Sequence, residues 1–268
     1  MKIAILGGGN MGMTYAKAFV SRKIVSKDDL LIIEKHDEKR EQLRLEGVAS
    51  LSADIDDSIK NYSIIIVAVK PQDFRILAEK LILHLDKSQM ILSIMAGITI
   101  SQIQNLLSHN NVVRAMPNTP AQLGYGITAF TVAKEATFEN ISVVDMLLET
   151  TGKAIFMKDE SKLDAVTALS GSGPAYFYYI VQNMIEAGIQ MGMEENVAAM
   201  LVKETMMGAF QILNHSKLSI DELISMVASK GGTTEAALNT FKQRAVGEHI
   251  IEALKNAEKR AKELSGGA

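Results

Sequence analysis

Three glycines and one carboxylate near the start of the chain carry the first chemistry that its spacing allows. The segment GGGNMG sets Gly7, Gly9 and Gly12 in the order G-x-G-x-x-G, directly after the apolar run Ile3 to Leu6. Such glycines permit a tight turn, the approach of a pyrophosphate to backbone and close helix packing. Asn10 and Met11 stand between them, where the unpaired N–H groups of a helix start favour phosphate. Glu34, about 20 residues further on, ends the second apolar run. A carboxylate there accepts hydrogen bonds from an adenosine ribose and repels a 2′-phosphate, whereas Lys35, His36, Lys39 and Arg40 suit that phosphate. The pattern predicts a bound dinucleotide, NADP or NAD, and leaves the preference open.

Two proline-containing segments, VKPQ (Val69 to Gln72) and RAMPNTP (Arg114 to Pro120), come just after later apolar runs. In a doubly wound sheet the carboxyl ends of the strands converge on the ligand crevice. Val69, Lys70 and Pro71, with Met116, Pro117 and Asn118, are therefore expected to hold the nicotinamide end and a substrate. Further along, ASKGGTTEAAL (Ala228 to Leu238) sets two glycines and two threonines between segments of helical spacing. Helix interiors disfavour adjacent glycines, so this break is expected to present backbone N–H groups to a ligand.

The elements that must position these residues follow from periodicity. KIAIL (Lys2 to Leu6), LLII (Leu30 to Ile33), SIIIVAV (Ser63 to Val69), MILSIM (Met90 to Met95) and NVVRAM (Asn111 to Met116) read as strands buried on both faces, as in a parallel sheet. ITAFTVA (Ile127 to Ala133) and KAIFM (Lys153 to Met157) extend the sheet at its far edge. Amphipathic stretches between them, such as Phe74 to Leu85 and Ser101 to Leu107, the latter with a capping box at Ser101 and Gln104, make a βαβ series. From Ser161 the spacing is helical, with start signals at Ser161/Asp164 and Ser219/Glu222. Helices are expected over Lys162 to Leu169, Pro174 to Met191, Glu194 to Asn214, Ile220 to Ala228 and Thr234 to Leu264. The fold class is α/β, a doubly wound sheet in residues 1–160 followed by an all-α domain in residues 161–268.

Composition narrows the function classes. The net charge of -3 and pI near 6.0 supply no general attraction to nucleic acid or anionic membranes. No apolar run approaches the roughly 20 residues of a membrane span, and the residues before Gly7 are too few for a signal peptide's apolar region. A cytoplasmic location is expected. The 268 residues contain no cysteine, which removes disulfides and thiolate chemistry. His36, His84, His109, His215 and His249 are dispersed without i, i+3 or i+4 pairing and read as surface residues, so no metal is expected. From Leu163 to Val202 there is no Lys, Arg or His, and AYFYYIVQNMIEAGIQM offers few solvent-facing positions. Such a helix is expected to be buried in a subunit interface, and the methionines of MGMEENVAAMLVKETMMGAF to serve core or interface packing.

The order GGGNMG, VKP, RAMPNTP, ALSGSGPAY and ASKGGTTEAAL, from residue 7 to residue 238, resembles the pyrroline-5-carboxylate reductase family. The resemblance implies reduction of a small cyclic imine by NAD(P)H, the last step of proline synthesis. It implies a Rossmann domain followed by an all-helical dimerisation domain that interlocks with a second copy, often assembled further into decamers. Matched residue by residue, the loop of Ser229, Gly231, Gly232 and Thr233 with Thr234 binds the substrate carboxylate. The Thr234 hydroxyl is similar to one near the substrate nitrogen, for orientation or proton relay, and Lys70 to a lysine near the nicotinamide pocket. The substrate would sit between the strand ends and the helical domain, with Gly232 to Thr234 supplied by the neighbouring subunit. Family members usually carry proline where this chain has Lys230. The chemistry agrees with what is missing: related hydroxyacid dehydrogenases use as acid a lysine on the helix after a similar glycine motif, the corresponding helix here has none, and an imine can be protonated before hydride arrives. A reductase of a related cyclic imine or oxo acid, or a dinucleotide-sensing regulator without turnover, are the rival readings.

Overall fold

Alternate residues of the apolar runs face opposite sides of one sheet. The computed structural model describes residues 1–266. Its strands are β1 (Ile3–Leu6), β2 (Leu30–Ile33), β3 (Ser50–Ser52), β4 (Ile64–Val67), β5 (Met90–Ser93), β6 (Val112–Met116), β7 (Gly126–Val132) and β8 (Gly152–Phe156). They lie in the order β3-β2-β1-β4-β5-β6-β7-β8, parallel except where β7 runs antiparallel to β6. Strand order therefore reverses between β1 and β4, which opens a crevice beyond their carboxyl ends. β3 carries no apolar run to announce it: SLS sits on the sheet's edge, paired only with β2.

Helices cover both faces. They are α1 (Asn10–Ser21), α2 (Asp37–Glu46), α3 (Pro71–Leu81), α4 (Ile100–Leu107) and α5 (Phe138–Glu149). Ile3, Ile5, Leu30, Ile32, Ile64 and Ile66 bury one face against Tyr15 and Phe19 of α1 and Val144 and Leu147 of α5. Ala4, Leu6, Leu31, Ile33, Ile65 and Val67 bury the other against Phe74 and Leu81 of α3 and Ile103 of α4. Each such large side chain contributes about 1.5–3 kcal/mol by leaving water. The rigid sheet is what fixes the crevice loops.

Several helix starts differ from expectation. α4 is capped by Thr99, whose hydroxyl accepts from Gln102 N while the Gln102 side chain accepts from Thr99 N. This replaces the box expected at Ser101 and Gln104. Thr99 is extended, as a cap must be, so Ser101 falls inside the first turn. Ser161 adopts a helical backbone and makes no side-chain cap. The box at Ser219 and Glu222 forms as expected. α6 (Lys162–Val166) runs into a π-helical turn, Thr167–Gly171, closed by the Ser172 N–H on the Thr167 carbonyl at 2.9 Å. Gly171 packs on the Met116 side chain at the end of β6, whose terminal methyl a Cβ would displace.

The chain divides into two compact units, one of Met1–Ser172 with the segment from Ala257 onward, the other of Gly173–Asn256. In the second, α7 (Gly173–Gln190), α8 (Glu195–His215), α9 (Ile220–Val227) and α10 (Thr233–Gln243) follow one another, and α11 (Val246–Gly266) begins. α7 and α8 approach closely at Gly188, where a Cβ would stand 2.8 Å from that of Ala198. The single helix expected from Thr234 to Leu264 is two helices. Ala245, at φ +51, breaks it without a proline or glycine at the break, so no punctuation in the sequence marks the position. Within the first unit, the Ser265 hydroxyl near the end of α11 donates to Asp164 at 2.8 Å. No described helix is long and apolar enough to cross a membrane.

Candidate active site

The glycine turn has the shape its spacing predicts. Gly7 holds φ +104, and its N–H donates to the Ile33 carbonyl of β2 at 2.8 Å. A Cβ on Gly12 would overlap the Gly7 carbonyl oxygen, so only glycine lets α1 start this close to β1. A Cβ on Gly9 would meet nothing within 4 Å, and no side chain caps α1. The N–H groups of Asn10, Met11 and Gly12 in the first turn have no intrahelical acceptor, and that turn contains no acidic residue. Open space in front of unpaired N–H groups fits a pyrophosphate.

Glu34 is buried beside this turn. Its Oε2 accepts from Gly8 N at 3.1 Å and its Oε1 from His36 N at 3.0 Å. The neighbouring cleft, about 410 Å³, is lined by Gly7, Gly9, Glu34, Lys39, Val69 and Lys70 among others. Lys35 pairs with Asp73 at 3.2 Å, and Arg40 donates to the Glu34 carbonyl at 2.9 Å and to Asp37. Asp54, also on the cleft, bonds Lys80 through both oxygens, which holds its carboxyl below the usual range. Val69 and Lys70 lead into α3, where Pro71 takes the first helical position and Lys70 is the exposed residue preceding it.

The RAMPNTP segment is tied down from below. Arg114 in β6 is 2% exposed and pairs with Glu160 and Asp164, each at 3.1 Å. Glu160 also accepts from Ile100 N at the start of α4. Spacing alone assigns Arg114 no role, although an arginine amid the apolar residues of VVRAM demands buried partners. Asn118 accepts from Ile127 N at 3.0 Å and donates to the Ser170 hydroxyl at 3.3 Å, bridging β7 to the π turn. Met116, Pro117 and Asn118 thus form a braced exit from β6.

In the second unit the loop before α10 is half-open to solvent. Gly231 holds φ +74 and its N–H donates to the Glu235 carboxylate at 2.7 Å. Gly232 caps α10 and donates to the Ser229 carbonyl at 3.0 Å. The N–H groups of both glycines are therefore engaged within the loop, and the Gly232 N–H is not free for the anion it was expected to meet. Those of Thr233 and Thr234, in the first turn, have no intrahelical acceptor. Glu235 is a site residue that the motif does not reveal; its signal is a carboxylate at the third helical position. Lys230 is exposed and has no ion pair among the described residues.

The histidines need one correction. His109 is buried, not on the surface, because Ser108 turns left-handed after α4 and its Nε2 donates to the Gln89 carbonyl at 2.7 Å. Among the described residues no cluster of three or more His, Asp or Glu is arranged to hold a metal.

Comparison with known proteins covers nearly all of the chain. Residues 160–264 match the family described as Pyrroline-5-carboxylate reductase dimerisation. Residues 2–97 match NADP oxidoreductase coenzyme F420-dependent. A pyrroline-5-carboxylate reductase of Aquifex aeolicus is 32% identical over 265 residues, 98% of this chain and 97% of that protein. One of Staphylococcus epidermidis is 30% identical over 267 residues, 99% and 98% of the two chains. The solved pyrroline-5-carboxylate reductase of Coxiella burnetii superposes with a TM-score of 0.89 at 28% identity, covering 98% of each chain.

Proposed function

Since the chain belongs to the pyrroline-5-carboxylate reductase family, we infer that it reduces the cyclic imine 1-pyrroline-5-carboxylate to L-proline with NAD(P)H. The observation that carries the cofactor half is the glycine turn, whose open front at Gly9 and unpaired helix N–H groups fit a pyrophosphate. When bound, the dinucleotide supplies hydride to the imine carbon. Everything else is assigned to the chain's own residues. Gly7, Gly9, Asn10, Met11 and Gly12 hold the pyrophosphate, and Glu34 with Lys35 faces the adenosine end. Val69, Lys70, Pro71, Met116, Pro117 and Asn118 set the nicotinamide end.

We propose that Ser229 to Thr234 binds the substrate. The Thr233 and Thr234 N–H groups receive its carboxylate at a helix start, and Gly231 and Gly232 shape the loop. The Thr234 hydroxyl orients the protonated imine nitrogen or relays its proton, so the nitrogen is cationic when hydride arrives and neutral or ammonium afterwards. Lys70 adds positive charge beside the nicotinamide end. The match to a dimerisation family supports self-association, and the exposed apolar face of α7 supports its passing through the helices. A cytoplasmic homodimer, assembled further into decamers, is the form proposed.

The test compares substrates that differ only in the carboxylate. With 1-pyrroline-5-carboxylate, dinucleotide oxidation should depend on substrate and yield proline, while 1-pyrroline should react at least about a hundredfold less efficiently. Equal efficiency for both imines would remove the loop from the mechanism.

A further inference from the structure

We propose, resting on the reductase reading, that Glu34 selects the cofactor at its adenosine ribose and makes the enzyme prefer NADH to NADPH. The carboxylate is not a mobile surface group. It is 6% exposed, with one oxygen on Gly8 N at 3.1 Å and the other on His36 N at 3.0 Å. A carboxylate offers about four acceptor directions, so two remain for the hydroxyl donors of a ribose diol. A 2′-phosphate brings negative charge to the same place, and Glu34 cannot rotate away without breaking both backbone bonds. Residue 8 lies against this grip: a Cβ there would stand 3.4 Å from the carboxylate, in ordinary contact, and would displace only the tip of Leu43.

Two of the four cations that could offset a 2′-phosphate are engaged. Arg40 bonds the Glu34 carbonyl and Asp37, and Lys35 bonds Asp73. Lys39 and His36 line the same cleft without an ion pair among the described residues, but His36 is exposed and Lys39 half-exposed, where water screens them. A fixed buried anion thus faces two solvated cations. The four basic residues near Glu34 suggest a phosphate site in the sequence; in the structure two of them, Lys35 and Arg40, are held by carboxylates and the other two are open to water.

Calorimetric titration of the full-length chain with NADH and NADPH decides the matter, with 5′-ADP and 2′,5′-ADP as probes of the adenosine end alone. NADH should bind at least about tenfold tighter than NADPH, and the 2′-phosphate should weaken the shorter probe in the same direction. Glu34→Gln, checked for folding by thermal unfolding, should narrow that gap several-fold; should it fail to fold, the wild-type pairs still decide. NADPH binding as tightly as NADH, or a gap unchanged in folded Glu34→Gln, overturns the inference and leaves the reductase reading intact. Binding of neither dinucleotide overturns both.

Discussion

Two glycine turns each open a helix in this chain, and their surroundings differ. Gly7 to Gly12 lies on a sheet whose strands β1, β2, β4 and β5 are buried along their whole length. Gly231 to Thr234 lies in a unit whose first helix, α7, buries only Gly173 and Gly188 and leaves Tyr178 and Tyr179 each 67% exposed. The first turn is braced by its own chain, with the Gly7 N–H on the Ile33 carbonyl of β2 and Gly12 packed on the Gly7 carbonyl. The second belongs to helices whose apolar faces exceed what a lone unit covers, as expected of a part completed by a second copy. Binding of the dinucleotide should then survive changes that remove self-association or turnover.

The largest effect should come from filling the first turn. Gly12→Val places a branched side chain on the Gly7 carbonyl and should abolish dinucleotide binding, whereas Gly9→Ala, pointing into open space, should retain folding. Calorimetry with a thermal melt separates the two. Wild-type binding by Gly12→Val would break the comparison on its stronger side.

Charging the exposed face comes next. The double change Tyr178→Glu and Tyr179→Glu should weaken self-association by on the order of a hundredfold, read by sedimentation, with dinucleotide affinity changed less than about twofold. An assembly that persists would show that another surface holds it. Thr234→Val should lower turnover by about tenfold to a hundredfold while leaving dinucleotide affinity as it was. Unchanged turnover would take the hydroxyl out of the mechanism.

The smallest effects sharpen the contrast without touching ligands. Thr99→Ala and Ser219→Ala each remove a capping box and should each cost about 1 kcal/mol. The first should appear in the unfolding of the sheet-bearing unit. The second should appear in amide exchange along α9.

Much of the sheet is legible in the sequence because its strands are short apolar runs, and two-sided burial leaves few other readings of IAIL or IIIV. β3 is invisible there because this three-residue edge strand has a single apolar residue, Leu51, flanked by serines. The turn at Gly7 to Gly12 is legible since its geometry excludes other residues at Gly7 and Gly12. The state of its neighbours is only half legible: Asp37 stands three residues before Arg40 on one helix, a spacing that pairs them, whereas Lys35 meets Asp73, 38 residues away, only through the fold. Arg114 shows the same limit, because its partners Glu160 and Asp164 lie 46 and 50 residues away. Glu235 on Gly231 is readable in principle from helix-start chemistry.

The most direct measurement follows NADH and NADPH oxidation by the purified chain together with L-proline formed from 1-pyrroline-5-carboxylate. If the glycine turn on the sheet and the loop before α10 serve one reduction, dinucleotide consumed and proline formed rise together in equal amounts, and neither changes without the imine. Tight dinucleotide binding with no imine-dependent oxidation, in folded protein, would contradict that reading and leave a nucleotide-binding protein without this turnover.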